Sequence, residues 1–397
     1  MKILFIHNRY KYQGGEDVAV ELEQKILEEH NHICEVIIFD NTEIESFKQK
    51  IKTATQAIYN SRSKKIIEFH IRNFAPDVIH VHNLFFIASP SVLYAAMKYK
   101  IPVVMTLHNY RMICANALLL RDCQICEKCV KKAVPLSGIK YRCYRNSALE
   151  SALVTAVNSW HNAAGTWRNK VDQYISLTQF AREKFITSSL GLSQDQIIVK
   201  PNFIFDTEYT ASKRGESYLF VGRLSVEKGV KTLLESFSST PSKQVDIIGD
   251  GPERVALENE YGAFHNIRFL GAKSKSEVLG YMRNAKALIF PSIWYEGLPF
   301  TIIESFATGT PVIASDIGGL KNMITDAYNG VLFKTGNAAA LTDALSRFEK
   351  LDSPELNANA RATYIKSYHP QSHYKSIIEI YNKVIKQKKD RCEYTRQ

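Results

Sequence analysis

Short apolar runs alternate with helical patterns twice along this chain, and this alternation restricts the possible folds most. The first series of runs is Lys2–Ile6, Val36–Phe39, Val78–Val81 and Val103–Leu107. The second series is SYLFV (217–221), VDII (245–248), IRFLG (267–271), AKALIF (285–290) and PVIAS (311–315). Short apolar runs that are bounded by turns and separated by helices are typical of buried parallel strands. The sequence therefore predicts an α/β protein with two doubly wound, Rossmann-like domains.

A polar, proline-containing stretch at residues 200–217 separates the two series. We therefore expect an N-terminal domain over residues 1–199, a linker over 200–217 and a C-terminal domain over 218–371. The last helical pattern begins at Ser372, and residues 372–397 are predicted to return to the first domain. The two domains are expected to face each other across a cleft.

The net charge of +11 is concentrated in one region, because residues 51–200 contain 20 Lys and Arg against 8 Asp and Glu. Such an excess favours an anionic partner, which can be nucleic acid, phosphate groups or an anionic membrane surface; a merely soluble basic face is the alternative. No apolar run approaches the ~20 residues of a membrane span. The start, MKILFIHN, is too short for a secretory signal, so a cytoplasmic location is expected.

Three predicted strands of the first series end in a His-Asn pair. The pairs are His7-Asn8, His82-Asn83 and His108-Asn109. Ligands of open α/β sheets bind outside the carboxyl ends of the strands, so the three pairs are expected to line one wall of a crevice. His80 and His82 also form an H-x-H pair. We expect no metal there, because no acidic third ligand lies in register.

Two loops of the second series carry groups suited to a diphosphate. Arg223 and Lys228 follow a strand in GRLSVEKG and could clamp a diphosphate, although two solvated loop charges are the alternative. The turn Gly249-Asp250-Gly251 would permit close approach of the backbone to a ligand. In the first series, the turn Gly14-Gly15 leads into a helix N-terminus and could present N–H groups to a phosphate.

Two glutamates flank a predicted strand-to-helix turn in WYEGLPFTIIES, at residues 294–305. Within a cleft, Glu296 and Glu304 could accept hydrogen bonds from the vicinal hydroxyls of a sugar or a ribose. The turn at residues 297–300 opens a helix N-terminus, which suits a phosphate. The structural alternative is a capping box, in which Thr301 and Glu304 satisfy each other's backbone N–H groups.

Five of the seven cysteines lie close together, at Cys114, Cys123, Cys126, Cys129 and Cys143. The C-x2-C spacing is typical of metal ligands, and disulfides are not expected in a reducing cytoplasm. We predict a structural Zn²⁺ held by Cys114, Cys126, Cys129 and Cys143, with Cys123 as a competing ligand. Reduced thiols or a redox-sensitive pair are the alternatives. The surrounding loop is strongly basic.

Residues 46–65 have a basic amphipathic pattern, because Phe47, Ile51, Ala54 and Ile58 recur near helical spacing among lysines and arginines. This pattern favours peripheral attachment to an anionic membrane surface. An ordinary surface helix packed on its own domain is the alternative.

Several motifs together resemble family 4 of the retaining GT-B glycosyltransferases. They are GRLSVEKG, IIGDGPE, the pair Glu296-x7-Glu304 in YEGLPFTIIES, and TPVIASDIGG with GVLF. PDVIHVHN, PVVMTLHNYR and the C-x2-C motif are similar to a bacterial polysaccharide-type branch of that family. The resemblance covers nearly the whole chain and implies the GT-B fold.

The resemblance also implies roles for individual residues. Glu304 would bind the ribose of a nucleotide-sugar, and Glu296 would hold the donor sugar near its reacting carbon. Arg223 and Lys228 would neutralise the departing diphosphate, and His108 would lie beside the donor sugar. The leaving phosphate itself would accept the acceptor's proton, so no catalytic base is assigned. The expected donor-binding residues are Gly14, Gly15, Gly249, Gly251, Leu298, Pro299, Phe300, Thr301 and Glu304.

The predicted activity is transfer of a hexosyl or N-acetylhexosaminyl group, with retention, from a UDP- or GDP-sugar. The expected acceptor is an anionic lipid-linked saccharide or growing polysaccharide at the cytoplasmic membrane face. The sequence contains no Asp-x-Asp, so no catalytic metal is expected. A nucleotide-sugar 2-epimerase of the same fold is the enzymatic alternative; a glycosidase would not need the phosphate clamp. The non-enzymatic alternative is a basic zinc protein that binds nucleic acid, a partner that the main interpretation does not expect.

Overall fold

The computed structural model describes residues 1–9, 14–40, 56–207, 209, 214–351 and 354–394. The chain divides into two compact units. The first comprises Met1–Leu119, Cys126–Asn202 and His373–Gln397, and the second comprises Leu120–Ile125 and Phe203–Ser372. Each unit contains a parallel sheet with helices between successive strands, so the predicted α/β class with two Rossmann-like domains is confirmed.

The sheet of the first unit has six parallel strands. In chain order the strands are β1 (Lys2–Arg9), β2 (Ile33–Asp40), β3 (Val78–Val81), β4 (Val103–Leu107), β7 (Gln173–Ser176) and β8 (Ile197–Val199). Between β4 and β7, β5 (Leu120–Arg121) and β6 (Gln124–Ile125) form a separate hairpin that belongs to the second unit. The order across the sheet is β2-β1-β3-β4-β7-β8. The chain therefore changes direction between β1 and β3, and ligands of such sheets bind at that switch point.

In the part of the chain that the structure describes, seven helices connect these strands. They are α1 (Gly15–Glu29), α2 (Ser61–Phe74), α3 (Ser91–Lys98), α4 (Leu136–Lys140), α5 (Ala148–Ala163), α6 (Thr166–Asn169) and α7 (Gln179–Ile186). Local sequence sets their starts. Asn60 caps α2, because its side chain accepts hydrogen bonds from the N–H groups of Arg62 and Ser63.

The second unit repeats the arrangement with a second six-stranded parallel sheet. Its strands are β9 (Tyr218–Val221), β10 (Val245–Ile248), β11 (Ile267–Gly271), β12 (Leu288–Phe290), β13 (Val312–Ser315) and β14 (Gly330–Phe333). Its helices are α8 (Val230–Ser238), α9 (Arg254–Tyr261), α10 (Lys275–Asn284), α11 (Phe300–Ala307), α12 (Leu320–Met323), α13 (Ala338–Leu351) and α14 (Pro354–Ser367); α15 (Pro370–Tyr394) follows. The order β11-β10-β9-β12-β13-β14 places the switch point between β9 and β12.

A buried ionic network holds α1, β3 and α15 together in the first unit. Glu23 of α1 lies 3.3 Å from Nδ1 of His80 and 3.9 Å from Nζ of Lys200. His80 also bonds the hydroxyl of Tyr381 at 2.7 Å, and Lys200 lies 3.1 Å from the ring of His373. Burial alone would raise the pKa of Glu23, but Lys200 and His80 outweigh it and hold that pKa well below its usual value. Hydrogen bonds from Tyr381 and His373 to this network therefore help to hold the C-terminal helix on this unit.

An acid does lie beside His80 and His82, although it is not in strand register with them, and the absence of a metal there stays a prediction. Helix α1 brings Glu23 to them, and the ligand atoms of these three residues lie within 4.8 Å of one another. Glu23 is far away in sequence, so a search for a ligand in strand register could not find it. The buried ammonium of Lys200 lies 3.9 Å from the Glu23 carboxylate, so this carboxylate already has a positively charged neighbour.

The structure bears on the predicted membrane features in two ways. Among the described residues, no helix combines the length and the apolar character needed to cross a bilayer. Of the predicted amphipathic stretch, Phe47, Ile51 and Ala54 lie outside the described residues, and Ile58 lies in the connection before α2.

We predict that Lys200→Met lowers the free energy of unfolding by about 3–5 kcal/mol, because it leaves the Glu23 carboxylate buried without its countercharge. Adding Glu23→Gln should recover much of that loss. Chemical unfolding of the full-length variants measures both effects. Lys25→Met is the matched control, since Lys25 lies on α1, the helix of Glu23, but its side chain is 63% exposed. A double variant as unstable as the single one would contradict the role of the network.

Candidate functional site

The predicted acidic and basic residues of the second unit gather at its switch point. Arg223 lies in the loop after β9, and Lys228 ends a short 3-10 helix in that loop. Glu296 lies in the loop after β12, which leads into α11. We call residues 222–229 the β9 loop and residues 291–299 the β12 loop. Because β9 and β12 are neighbours in the sheet, these loops meet at one edge.

Backbone contacts hold the two loops together. The N–H of Ile293 donates to the carbonyl of Glu227 at 3.0 Å. Gly229 has a φ of +66°, and a Cβ at this position would lie 2.0 Å from the carbonyl oxygen of Pro291. Only glycine permits this approach, so the position of Lys228 next to the β12 loop depends on the residue that follows it.

The central contact of the site is an ion pair between Lys228 and Glu296. The buried carboxylate accepts three hydrogen bonds at one oxygen, Oε1: from Lys228 Nζ at 2.8 Å, Ser292 Oγ at 2.5 Å and Trp294 Nε1 at 2.9 Å. The ammonium also lies 5.5 Å from the ring centroid of Trp294, within cation–π range. The site therefore holds a positive charge in a fixed place.

Arg223 differs from Lys228. It is exposed, and it forms no ion pair with any residue that the structure describes. The alternative of two solvated loop charges thus fits Arg223 but is wrong for Lys228, whose side chain is 23% exposed and paired. The edge offers one fixed cation and one adjustable cation.

The glycines of the GDG turn pack against the β9 loop, and their predicted contact with a ligand stays a prediction. A Cβ on Gly249 would lie 1.8 Å from the carbonyl oxygen of Gly222, and a Cβ on Gly251 would lie 2.3 Å from that of Leu224. The N–H of Glu253 also donates to Leu224 at 3.0 Å. The close approach is therefore between this turn and the β9 loop, and the glycines shape the edge by packing.

Glu304 does not form a capping box. Helix α11 begins at Phe300 with Pro299 at the N-cap, where no described side chain caps it, so Thr301 is already inside the helix. The Glu304 side chain is 15% exposed and lies 3.6 Å from Nζ of Lys275. Burial raises the pKa of Glu304, and Lys275 opposes that rise only in part. Leu298 is buried, whereas residues 299–301 are partly exposed.

Three histidines meet at the carboxyl edge of the first sheet, as expected. His82 Nδ1 lies 2.9 Å from His108 Nε2, with the rings stacked at 5.1 Å. His7 bonds Asp17 at 3.0 Å, and its ring centroid lies 6.5 Å from that of His82. Burial, with nearby positive groups, lowers the pKa of His108 to about 3 and holds the pKa of His82 well below its usual value. Both rings are therefore neutral at pH 7.

The asparagines of the His-Asn pairs mainly support the loops. Asn83 Nδ2 donates to the carbonyl of Asn8 at 2.7 Å, and Asn8 Oδ1 accepts from the N–H of Ala88 at 3.0 Å. Asn109 Oδ1 accepts from the N–H of Arg111 at 2.9 Å. These amides fix the strand ends, so the histidines rather than the asparagines are the ligand candidates.

Glu16 is a candidate that the sequence analysis missed. It follows the Gly-Gly turn in the first turn of α1, and its carboxylate accepts a hydrogen bond from Asn109. Burial raises the pKa of Glu16 to about 7, although Asn109, His7 and Arg111 oppose the rise. An acid directly after Gly-Gly was the available signal. By contrast, the N–H of Gly14 already donates to Asp17 at 2.9 Å, so it is not available to a phosphate.

Four of the clustered cysteines are neighbours in the first unit. Burial raises the pKa of the Cys129 thiol to about 11, and the thiols of Cys114, Cys143 and Cys126 add to that rise. Cys123 is exposed at the turn of the β5–β6 hairpin. Within the described chain, no three of the sulfurs lie within 4.8 Å of one another.

Comparison with known proteins finds two family matches. Residues 205–367 match the model of glycosyl transferases group 1, and residues 50–208 match that of Glycosyltransferase Family 4. The chain is 26% identical over 374 residues to an uncharacterized glycosyltransferase of Methanocaldococcus jannaschii, which covers 90% of each chain. It is 25% identical over 330 residues to the putative teichuronic acid biosynthesis glycosyltransferase TuaC of Bacillus subtilis, covering 79% of this chain and 72% of that protein.

Solved structures share the fold along nearly the whole chain. Anabaena HepE, solved in complex with UDP, superposes with a TM-score of 0.66 at 16% identity, over 96% of this chain and 100% of that one. Sucrose-phosphate synthase from Thermosynechococcus elongatus superposes with a TM-score of 0.68 at 17% identity, over 97% and 99%. At these identities the likeness establishes the fold.

The two cations should differ in their effect on stability. Arg223→Ala should change the free energy of unfolding by less than about 0.5 kcal/mol, as for other exposed sites. Lys228→Met should cost about 1–3 kcal/mol, because the buried Glu296 loses a charged donor. Chemical unfolding of the full chain measures both, with Lys231→Met as the control at a lysine whose side chain is 63% exposed. Equal costs for Arg223 and Lys228 would contradict the geometry.

Proposed function

The chain is a glycosyltransferase of family 4 with the GT-B fold, and from that premise we propose that it transfers a sugar from a nucleoside diphosphate sugar to an acceptor hydroxyl with retention at the anomeric carbon. The observation that supports this most is the Lys228–Glu296 contact at the switch point of the second unit. It places a fixed ammonium beside a buried carboxylate, a combination that suits a sugar diphosphate.

The cations of the β9 loop would act on the leaving group. Negative charge develops on the diphosphate as the bond to the sugar breaks, and preorganised donors stabilise it, each by typically about 3 kcal/mol of barrier. Lys228 is preorganised by Glu296, whereas Arg223 is free to follow the phosphate. The backbone N–H groups at the start of α11 would add to this stabilisation.

The two glutamates would divide the hydroxyl contacts of the donor. Three donors on Oε1 fix the plane of the Glu296 carboxylate, so Oε2 is held in one direction, and we assign it to a hydroxyl of the donor sugar. The Glu304 carboxylate would accept hydrogen bonds from the hydroxyls of the ribose. In the first unit, Gly15 and His108 are proposed to offer an N–H group and a neutral imidazole to oxygens of a ligand.

The acceptor is proposed to be an anionic saccharide, lipid-linked or part of a growing polysaccharide, used at the cytoplasmic face of the membrane. The excess of 20 basic over 8 acidic residues in residues 51–200 supports an anionic acceptor. UDP or GDP is the proposed nucleotide. UDP occurs in the Anabaena HepE complex.

The decisive experiment incubates the protein with UDP-glucose, UDP-N-acetylglucosamine, GDP-mannose and ADP-glucose, with and without a bacterial lipid extract as acceptor. Nucleotide release should occur from one donor class and should rise with the extract, and NMR of the product should show the anomeric configuration of the donor. Acceptor-independent release of a free 2-epimerised sugar would instead establish an epimerase. Release from none of the donors would overturn the proposal.

Substitutions of the two glutamates should have different effects on nucleotide binding and on turnover. Glu304→Gln should weaken binding of the free nucleotide about ten-fold or more, because the ribose loses a charged acceptor. Glu296→Gln should lower kcat while nucleotide affinity stays near that of the parent. Glu260→Gln is the control, because that carboxylate is 54% exposed on α9. Unchanged nucleotide affinity in a folded Glu304 variant would remove Glu304 from the site.

We also propose a structural Zn²⁺ at Cys114, Cys126, Cys129 and Cys143. The four thiols are neighbours. Burial raises the pKa of the Cys114 thiol, and the backbone N–H groups of Leu119, Asn116 and Ala117 oppose that rise only in part. No three of the described sulfurs lie within 4.8 Å of one another, so binding would draw the partly exposed Cys126 and Cys143 inward.

Elemental analysis of protein purified without chelators should find about one Zn²⁺ per chain. Cys126→Ser should lose the metal, and Cys123→Ser, the matched control in the adjacent hairpin, should keep it. Because metal binding is coupled to folding, stripping the metal should first speed hydrogen exchange in residues 114–143. Metal content near zero, or equal loss in the two variants, would refute the site.

A further inference from the structure

Helix α5 carries an exposed apolar stripe. Its inner face is buried through Ser151, Val154, Thr155, Val157, Asn158 and His161. The opposite face presents Leu149, Leu153, Ala156 and Trp160, which we call the α5 stripe. These residues recur at helical spacing on one side, and Leu149 and Trp160 are 82% and 61% exposed. Exposed helix faces are normally polar, so this face lacks the partner that its composition requires.

Charged groups are scarce along this helix. Glu150 is its one acidic or basic side chain other than the buried His161, and Arg145 lies 3.7 Å from the Glu150 carboxylate. A 16-residue helix with one paired charge does not solvate its outer face well. The stripe thus behaves as an interaction surface rather than as ordinary protein surface.

The segment before α5 also carries exposed aliphatic side chains. Helix α4 packs on the inner side of α5, because a Cβ built on its Gly138 would lie 3.7 Å from Oγ1 of the buried Thr155. Val134, just before α4, and Leu136, its first residue, are 55% and 63% exposed. Large aliphatic side chains are therefore exposed to solvent in this segment as well as on α5.

A basic segment surrounds these apolar residues. Its exposed cations are Lys131, Lys132, Lys140, Arg142 and Arg145. Tyr141 is 38% exposed, and Nζ of Lys128 and of Lys140 lie 5.2 and 5.6 Å from its ring centroid. Residues 131–149 contain no acidic residue. The surface thus combines aliphatic, aromatic and cationic groups.

We propose that the α5 stripe and the basic segment at residues 131–145 form the surface by which this chain lies on an anionic lipid bilayer. The inference rests on the membrane-associated acceptor of the proposed function and identifies where contact occurs. Aliphatic side chains and a tryptophan enter the interface between headgroups and acyl chains, while lysines and arginines attract anionic lipids.

Other occupants fit the surface less well. In a two-fold dimer of this chain, the same patch would meet itself, and the five cations would be placed against their copies. Nucleic acid would pair with the cations but would offer no apolar contact to Leu136 and Leu149. A bilayer with anionic headgroups matches both the charge and the apolar side chains.

The test is sedimentation of the full-length protein with vesicles of phosphatidylglycerol and phosphatidylcholine, or of phosphatidylcholine alone. The parent should pellet with the anionic vesicles at low salt, less so at high salt, and little with the neutral ones. Leu149→Gln/Trp160→Gln and Lys140→Gln/Arg142→Gln should each reduce binding at least ten-fold. Val255→Gln, at a 70% exposed valine on α9, is the control and should bind like the parent.

Two results would overturn the inference. One is a parent protein that ignores anionic vesicles at every salt concentration. The other is a stripe variant that still pellets normally with anionic vesicles. If that variant differs from the parent only in the mass of the protein measured by light scattering, the stripe is a contact between copies of this chain. Donor turnover measured on the same preparations separates the two proposals. Lost binding with intact turnover defeats only the surface, and absent turnover with intact binding defeats only the proposed activity.

Discussion

The hydrogen-bonded ion pair of Lys228 and Glu296 is the contact on which the candidate donor site depends. It exists because β9 and β12 are neighbours in the sheet although two strands separate them along the chain. Because the two strands are parallel neighbours, the loop that follows each strand emerges at the same edge of the sheet. A carboxylate that would be costly to bury alone is stabilised there by three donors. The order of the strands in the sheet therefore determines which charged residues meet at the site.

Two mainly apolar strands were predictable to the residue. Val78–Val81 and Val103–Leu107 have the predicted bounds, and both strands are buried, which favours apolar side chains. The predicted run Val36–Phe39 is shorter than its strand, which extends over Ile33–Asp40. The strand QYIS (173–176) escaped notice, since two of its four residues are polar. Gln173 Nε2 donates to the carbonyl of Asp195 at 3.0 Å, and the Tyr174 hydroxyl donates to that of Trp167 at 2.7 Å. These side chains are buried with partners that no local pattern reveals.

The candidate site shows the same division. Residue types at strand ends located Lys228, Glu296 and the histidines, because topology alone brings such positions together. Their partners did not follow from sequence, since contacts such as Glu23 with Lys200 join residues far apart in the chain. The capping box failed for a local reason: α11 starts one residue before Thr301. Short motifs thus identified chemistry more reliably than they identified hydrogen-bond partners.

The loops at the second switch point touch through backbone atoms, at Gly229 against Pro291 and at Gly249 against Gly222. These backbone contacts hold the loops together in addition to the side-chain hydrogen bonds on Glu296. An exposed side chain that makes none of these contacts, such as Arg223, can be exchanged without disturbing the backbone approach of the loops. For the proposed donor site, this would separate foldability from specificity: a point substitution at such a position would change the ligand groups that the edge can contact, whereas a side chain at Gly229 or Gly249 would force the loops apart.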